Sequence, residues 1–212
     1  MLQTVLPIAA GLCALAYLPL SPRTETLIRS AIKTASVALL ALAAGLAQAP
    51  ILLTLALALC ALGDWLLSRP GDRAFMAGIG AFAAGHLAYV ALFLTRPDMD
   101  PSHLSANPQL WIALALVVLG VIMASRIAPR AKDLRGAVLA YIPIILSMGF
   151  VALTLPLGTL VLPAALAFVA SDTVLATEKF LLADDHPARR WTPYAVWPLY
   201  WLAQAGFWMA FS

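Results

Sequence analysis

Apolar runs broken by short polar stretches fill the chain and divide it into segments 2–20, 28–47, 51–68, 74–95, 110–126, 135–155, 159–181 and 193–211. A helix needs about 20 predominantly apolar residues to cross a bilayer, and each segment is close to that length. The period-two alternation of barrel strands is absent. The pattern predicts an all-α membrane protein: a polytopic bundle of about eight transmembrane helices, forming a single integral membrane domain over 1–212. Two joins are very short, at Pro50 and at Pro156 with Gly158. Each reads either as a tight turn between helices or as a kink.

Composition strengthens this class. The chain is 63% hydrophobic and 11% charged, with a mean hydropathy of +0.92, against roughly 45–50% apolar and about 25% charged in soluble domains. Every Lys and Arg except Arg96 falls in or beside the loops after the odd-numbered helices. Basic loops stay in the cytoplasm, so both termini are expected outside, on the periplasmic face of a bacterial inner membrane. The net charge of +3 is then a topology signal and does not suggest a nucleic-acid partner. The first segment lacks a basic leader and a clean cleavage site, so it reads as a retained helix and not as a secretion signal. Cys13 and Cys60 read as small core residues. Trp65, Trp111 and Trp191 fall near expected interfaces, while Trp197 and Trp201 either line an acyl-chain pocket or pack in the core. Nothing in the sequence sets an oligomeric state.

A few polar side chains interrupt the apolar segments. Asp64, in "LGDWLL", lies about one turn from the basic end of the third helix, and Asp172, in "ASDTVL", lies deeper in the seventh. Lys33 is in the second helix, His86 and Tyr89 are in the fourth, and Tyr141 is in the sixth. Tyr200 and Gln204 are one turn apart in the eighth helix and face together. Lys179 follows Asp172 on the same stripe. All would converge on one cavity opening to the cytoplasmic half of the bilayer. A carboxylate in hydrocarbon costs roughly 2.5–3.5 kcal/mol on insertion scales, so an acid there marks a functional site by default. The plainer reading is an ion pair of Asp64 or Asp172 with Lys33 that ties helices together. His103 is expected on the outer side and His186 in a loop, which leaves one histidine at depth. No metal site and no cofactor are expected.

In the fourth helix Gly78 and Gly85 share a face and invite close approach of a neighbour, turning Phe82, His86 and Tyr89 inward. Asp64 and Asp172 are 108 positions apart (172 − 64) and each lies in the third helix of a four-helix half. A 4+4 parallel repeat is therefore possible, with chance similarity of Ala/Leu-rich helices as the alternative.

The lysine segment "RSAIKTASVALLAL", with "LGDWLL", "FMAGIGAFAAGHLAY", "SDTVLATEKF" and "YWLAQ" in order, resembles the YhhN-like integral membrane proteins, which include the lysoplasmalogenases. The resemblance spans almost the whole chain. It implies a membrane enzyme that hydrolyses the vinyl-ether bond of a lysophospholipid substrate, releasing a fatty aldehyde and glycerophosphoethanolamine or glycerophosphocholine. The family's paired aspartates match Asp64 and Asp172 by motif. The chemistry suits them, because an acid that keeps its proton in an apolar setting protonates the vinyl carbon. A second carboxylate then steadies the oxocarbenium ion, as in glycosidases. Asp172, deeper, is the expected proton donor, and Asp64 the cation stabiliser that orients water. His86, Tyr89, Tyr141, Tyr200 and Gln204 would hold water or the ether oxygen. Lys33 would tune whichever acid it approaches, which leaves the roles reversible. Lys179, Arg69, Arg73, Arg189 and Arg190 would meet the substrate phosphate or anionic membrane lipids. The competing readings are a proton-coupled transporter of a small amphiphile and a lipid-binding protein without catalysis.

Overall fold

The structure, a computed structural model, describes residues 2–212. Among them are eight α-helices: α1 (Leu2–Tyr17), α2 (Leu27–Leu46), α3 (Ile51–Leu67), α4 (Asp72–Leu94), α5 (Gln109–Ile127), α6 (Arg135–Ala152), α7 (Val161–Leu181) and α8 (Thr192–Phe211). The helix ends lie close to those expected. α2 begins at Thr26, whose Oγ1 accepts a hydrogen bond from the Arg29 backbone N–H at 3.2 Å, a normal N-cap. Both short joins are turns: α2 stops at Leu46 before Gln48, which has φ 54°, and α6 stops at Ala152. The kink alternative is thereby removed.

Six helical stretches, beginning at Leu2, Leu27, Asp72, Gln109, Lys132 and Val161, are long and apolar enough to cross a membrane. The expectation of eight such spans is corrected to this extent. α3 has 17 residues, about 25 Å at 1.5 Å per residue, short of a ~30 Å hydrocarbon core. α8 carries Pro193, Tyr194, Trp197, Pro198, Tyr200, Trp201 and Gln204, residues that lower its apolarity although several are buried. The two helices that fall short both carry residues of the buried polar cluster.

α3 packs along α4, α7 along α8, and α1 and α3 flank α2, while α6 lies against α4 and α7. α3 and α4 come close through glycine. A Cβ at Gly85 would stand 2.9 Å from Cys60 Sγ and 3.3 Å from the Ala56 carbonyl, and one at Gly63 would stand 2.6 Å from the Phe82 ring. This contact turns His86 and Tyr89 inward, and both are fully buried. Opposite faces carry exposed apolar stripes, such as Val5, Ile8, Leu12 and Leu15 on α1 and Leu114, Val117, Val121 and Ile122 on α5. Their helical spacing presents a continuous greasy surface to a bilayer.

Candidate functional site

A cavity of about 400 Å³ opens in the half of the bundle where the basic loops gather. Its walls come from the ends of α1, α3, α5 and α7 and the beginnings of α2, α4, α6 and α8. One wall is apolar, with Leu119 and Met123 of α5, Val138, Ile142 and Ile145 of α6, and Leu175 of α7. Asp64 and Asp172 line the same cavity. Lys33, Tyr141, Lys179 and Tyr200 also line it.

Asp64 is fully buried. Lys33 of α2 places its ammonium 2.9 Å from Oδ1, and the Tyr200 hydroxyl of α8 donates to Oδ2 at 2.7 Å. Both oxygens of this carboxylate therefore face donors, one of them a cation at charge-assisted distance. The open question of which acid Lys33 approaches is answered in favour of Asp64. The pair also ties α2 to α3, so the structural reading and the functional one describe the same contact.

Asp172 has different neighbours. The Tyr141 hydroxyl of α6 donates to its Oδ2 at 2.6 Å, and His86 Nε2 of α4 stands 3.9 Å from the same oxygen. Among the described residues no Lys or Arg lies within ion-pair distance of it. The His86 ring packs 4.4 Å from the Phe168 ring and 5.5 Å from the Tyr141 ring, centroid to centroid. Phe168 in turn meets Tyr200 at 5.3 Å, so an aromatic column joins the surroundings of the two acids.

His86, Tyr89 and Gln204 lie behind the cavity wall and do not line it. Tyr89 donates to Gln204 Oε1 at 2.5 Å and locks α4 to α8. Of the residues expected at the rim, only Lys179 reaches the cavity, with its ammonium 4.8 Å from the Phe75 ring. Arg189 caps the end of α7, donating to the carbonyls of Glu178, Leu182 and Ala183. Arg69 stacks over Trp65 at 4.3 Å and borders a neighbouring crevice, and Arg190 lies 5.6 Å over Trp191. Arg73 lines neither space. Trp197 lines the cavity and donates to the Ala14 carbonyl at 3.0 Å, whereas Trp201 packs against Gly11.

Sequence reasoning missed Tyr17, Ser21, Glu25 and Arg29 at the cavity mouth, and Phe168 at its back. Phe168 lies one turn before Asp172 on the same face, a signal available in the spacing. Arg29 is held by Glu25 at i,i+4 spacing, a signal the sequence offered, and by the Leu20 and Ser21 carbonyls across the turn between α1 and α2, which the spacing does not show.

The fold and site define a multi-helix membrane protein with an acid-bearing cavity at one end of its bundle. The chain belongs to the YhhN family, whose family model matches residues 28–211. No curated protein and no solved structure matches it.

Proposed function

We propose that this protein is a lysoplasmalogenase-type hydrolase. The observation that carries the reading is the unequal pair of acids facing one cavity, Asp64 tied to a lysine and Asp172 with no Lys or Arg of the described residues within ion-pair distance. Two acids in different surroundings divide into acid and anion roles. Asp172 gives its proton to the vinyl carbon β to the ether oxygen. The oxocarbenium ion that forms is steadied by the Asp64 carboxylate. Water adds to the carbon bearing the oxygen and its proton returns to Asp172. The hemiacetal then releases the glycerol oxygen as an alcohol and leaves an aldehyde. The apolar wall of α5 and α6 takes the alkenyl chain, and Lys179 meets the phosphate. The basic end of the bundle lies in the cytoplasm, and the substrate enters from that leaflet.

The reading includes a 4+4 internal repeat, α1–α4 with α5–α8. The interval from Asp64 to Asp172 also separates Lys33 from Tyr141. Each acid is held from the helix before it, α2 or α6, and faces a side chain of the last helix of the other half: Tyr200 of α8 bonds Asp64, and His86 of α4 stands 3.9 Å from Asp172. Tyr89 of α4 and Gln204 of α8 meet each other, as residues near a twofold axis do. An experimental structure in which the two halves fail to superpose would refute the repeat.

The deciding experiment supplies purified protein in liposomes with a lysoplasmalogen and measures aldehyde. Release that disappears in Asp64→Asn and Asp172→Asn supports the reading. Passage of the lipid across the membrane without hydrolysis would replace it with a transporter.

A further inference from the structure

Each hydrogen-bonding atom around Asp172 has a role fixed by its chemistry. His86 Nδ1 lies 2.6 Å from the Phe82 carbonyl oxygen. A carbonyl only accepts, so Nδ1 carries a hydrogen and donates it. Nε2 is then either bare, in a neutral ring, or protonated, in a cation. It is buried and has no hydrogen-bond partner. Its nearest acidic oxygen, Asp172 Oδ2 at 3.9 Å, is beyond hydrogen-bond reach. Charge-assisted pairs close to about 2.7–2.9 Å, as Lys33 and Asp64 do at 2.9 Å in the same cavity. A histidine cation here would be buried without an acceptor, so the ring is neutral and turns a lone pair toward Asp172.

An ionised Asp172 would set two acceptors against each other, with no Lys or Arg among the described residues within ion-pair distance. Tyr141 supplies one donor to Oδ2, which does not relieve the facing lone pair on Nε2. A single proton on the carboxyl removes the conflict, and a neutral acid is cheaper than an unpartnered charge in a side chain only 17% exposed. We infer that Asp172 and His86 form a proton-holding pair: one proton at rest on Asp172, with His86 as the neutral positioning residue behind it. The groups facing the pair are Tyr141 from α6, Phe168 from α7 itself and the Phe82 carbonyl on α4, and the charges that share the cavity with it are Asp64 of α3 and Lys33 of α2. The Lys33 cation is engaged by Asp64. The resting proton follows from this geometry alone, whereas its use in turnover rests on the proposed hydrolysis.

The test reads the two groups directly in full-length protein in nanodiscs. The chain has three histidines, and His103→Gln with His186→Gln leaves His86 as the single ¹⁵N-histidine signal. The expected spectrum at neutral pH is a neutral ring protonated at Nδ1. Infrared difference spectra are expected to show a protonated-carboxyl C=O band that is lost in Asp172→Asn and kept in Asp64→Asn. An imidazolium signal from His86, or no carboxyl band depending on Asp172, overturns the inference. Neither readout needs substrate, so a failed aldehyde assay is a separate result. In an active preparation, His86→Phe is expected to lower kcat by roughly 10²-fold with KM unchanged. An unchanged kcat with the spectra as expected would remove the catalytic role and leave the proton in place.

Discussion

Lys33→Met isolates the cost of the Lys33–Asp64 contact. The Asp64 side chain is 1% exposed and that of Lys33 21%, so the acid depends on the lysine far more than the lysine depends on the acid. Removing Lys33 leaves a buried carboxylate with Tyr200 as its one remaining hydrogen-bond donor. Breaking a buried pair from one side costs about 3–5 kcal/mol. Asp64→Asn strands an ammonium that still reaches the cavity, so its cost is expected to be smaller than that of Lys33→Met. The double variant has no stranded charge and keeps the Tyr200 contact through the Asn oxygen. It is expected within about 1 kcal/mol of Asp64→Asn, because neutral replacement of a buried pair is often close to neutral. The coupling is then at least about 2 kcal/mol, well outside additive behaviour. Equilibrium unfolding in mixed micelles, followed by fluorescence of the six tryptophans, measures it. Additive losses to within about 0.5 kcal/mol would refute a buried, mutually dependent pair.

Packing and rim residues give further expectations. Gly63→Ala, with its Cβ 2.6 Å from the Phe82 ring, is expected to lose about 1–3 kcal/mol, while Gly80→Ala, with no atom within 4 Å, stays within about 0.5 kcal/mol in the same unfolding measurement. Tyr89→Phe deprives Gln204 of its hydrogen bond and should cost about 1–3 kcal/mol, with turnover retained because neither residue lines the cavity. Lys179→Gln is expected to raise KM for a phosphate-bearing lysolipid roughly tenfold, the loss of about one charge-assisted contact, with kcat little changed. An unaltered KM would remove Lys179 from the phosphate.

The helices were legible because an apolar run of bilayer length is a strong local signal. α3 was weaker as a span because it is short, at 17 residues, and α8 because it carries Tyr200, Gln204 and other polar or aromatic residues that belong to the interior of the bundle. The candidate residues were equally legible as exceptions, since a charge in hydrocarbon needs a reason. Their partnerships were not. That Lys33 meets Asp64, that Tyr141 meets Asp172, and that Tyr89 meets Gln204 depends on how distant helices rotate about their axes. One-dimensional periodicity fixes a face but not which neighbour it meets. The division between Lys33, Tyr141 and Tyr200 on the cavity surface and His86, Tyr89 and Gln204 behind it is set by the same rotations.

The central claim, that an acid lining the bundle's cavity protonates a carbon of a lipid vinyl ether, is tested most directly by turnover in D₂O with mass analysis of the aldehyde. Proton transfer to carbon predicts one deuterium on the carbon next to the carbonyl, and no aldehyde above the protein-free blank from folded Asp172→Asn. Aldehyde without deuterium, or undiminished release by the Asp172→Asn variant, would contradict it.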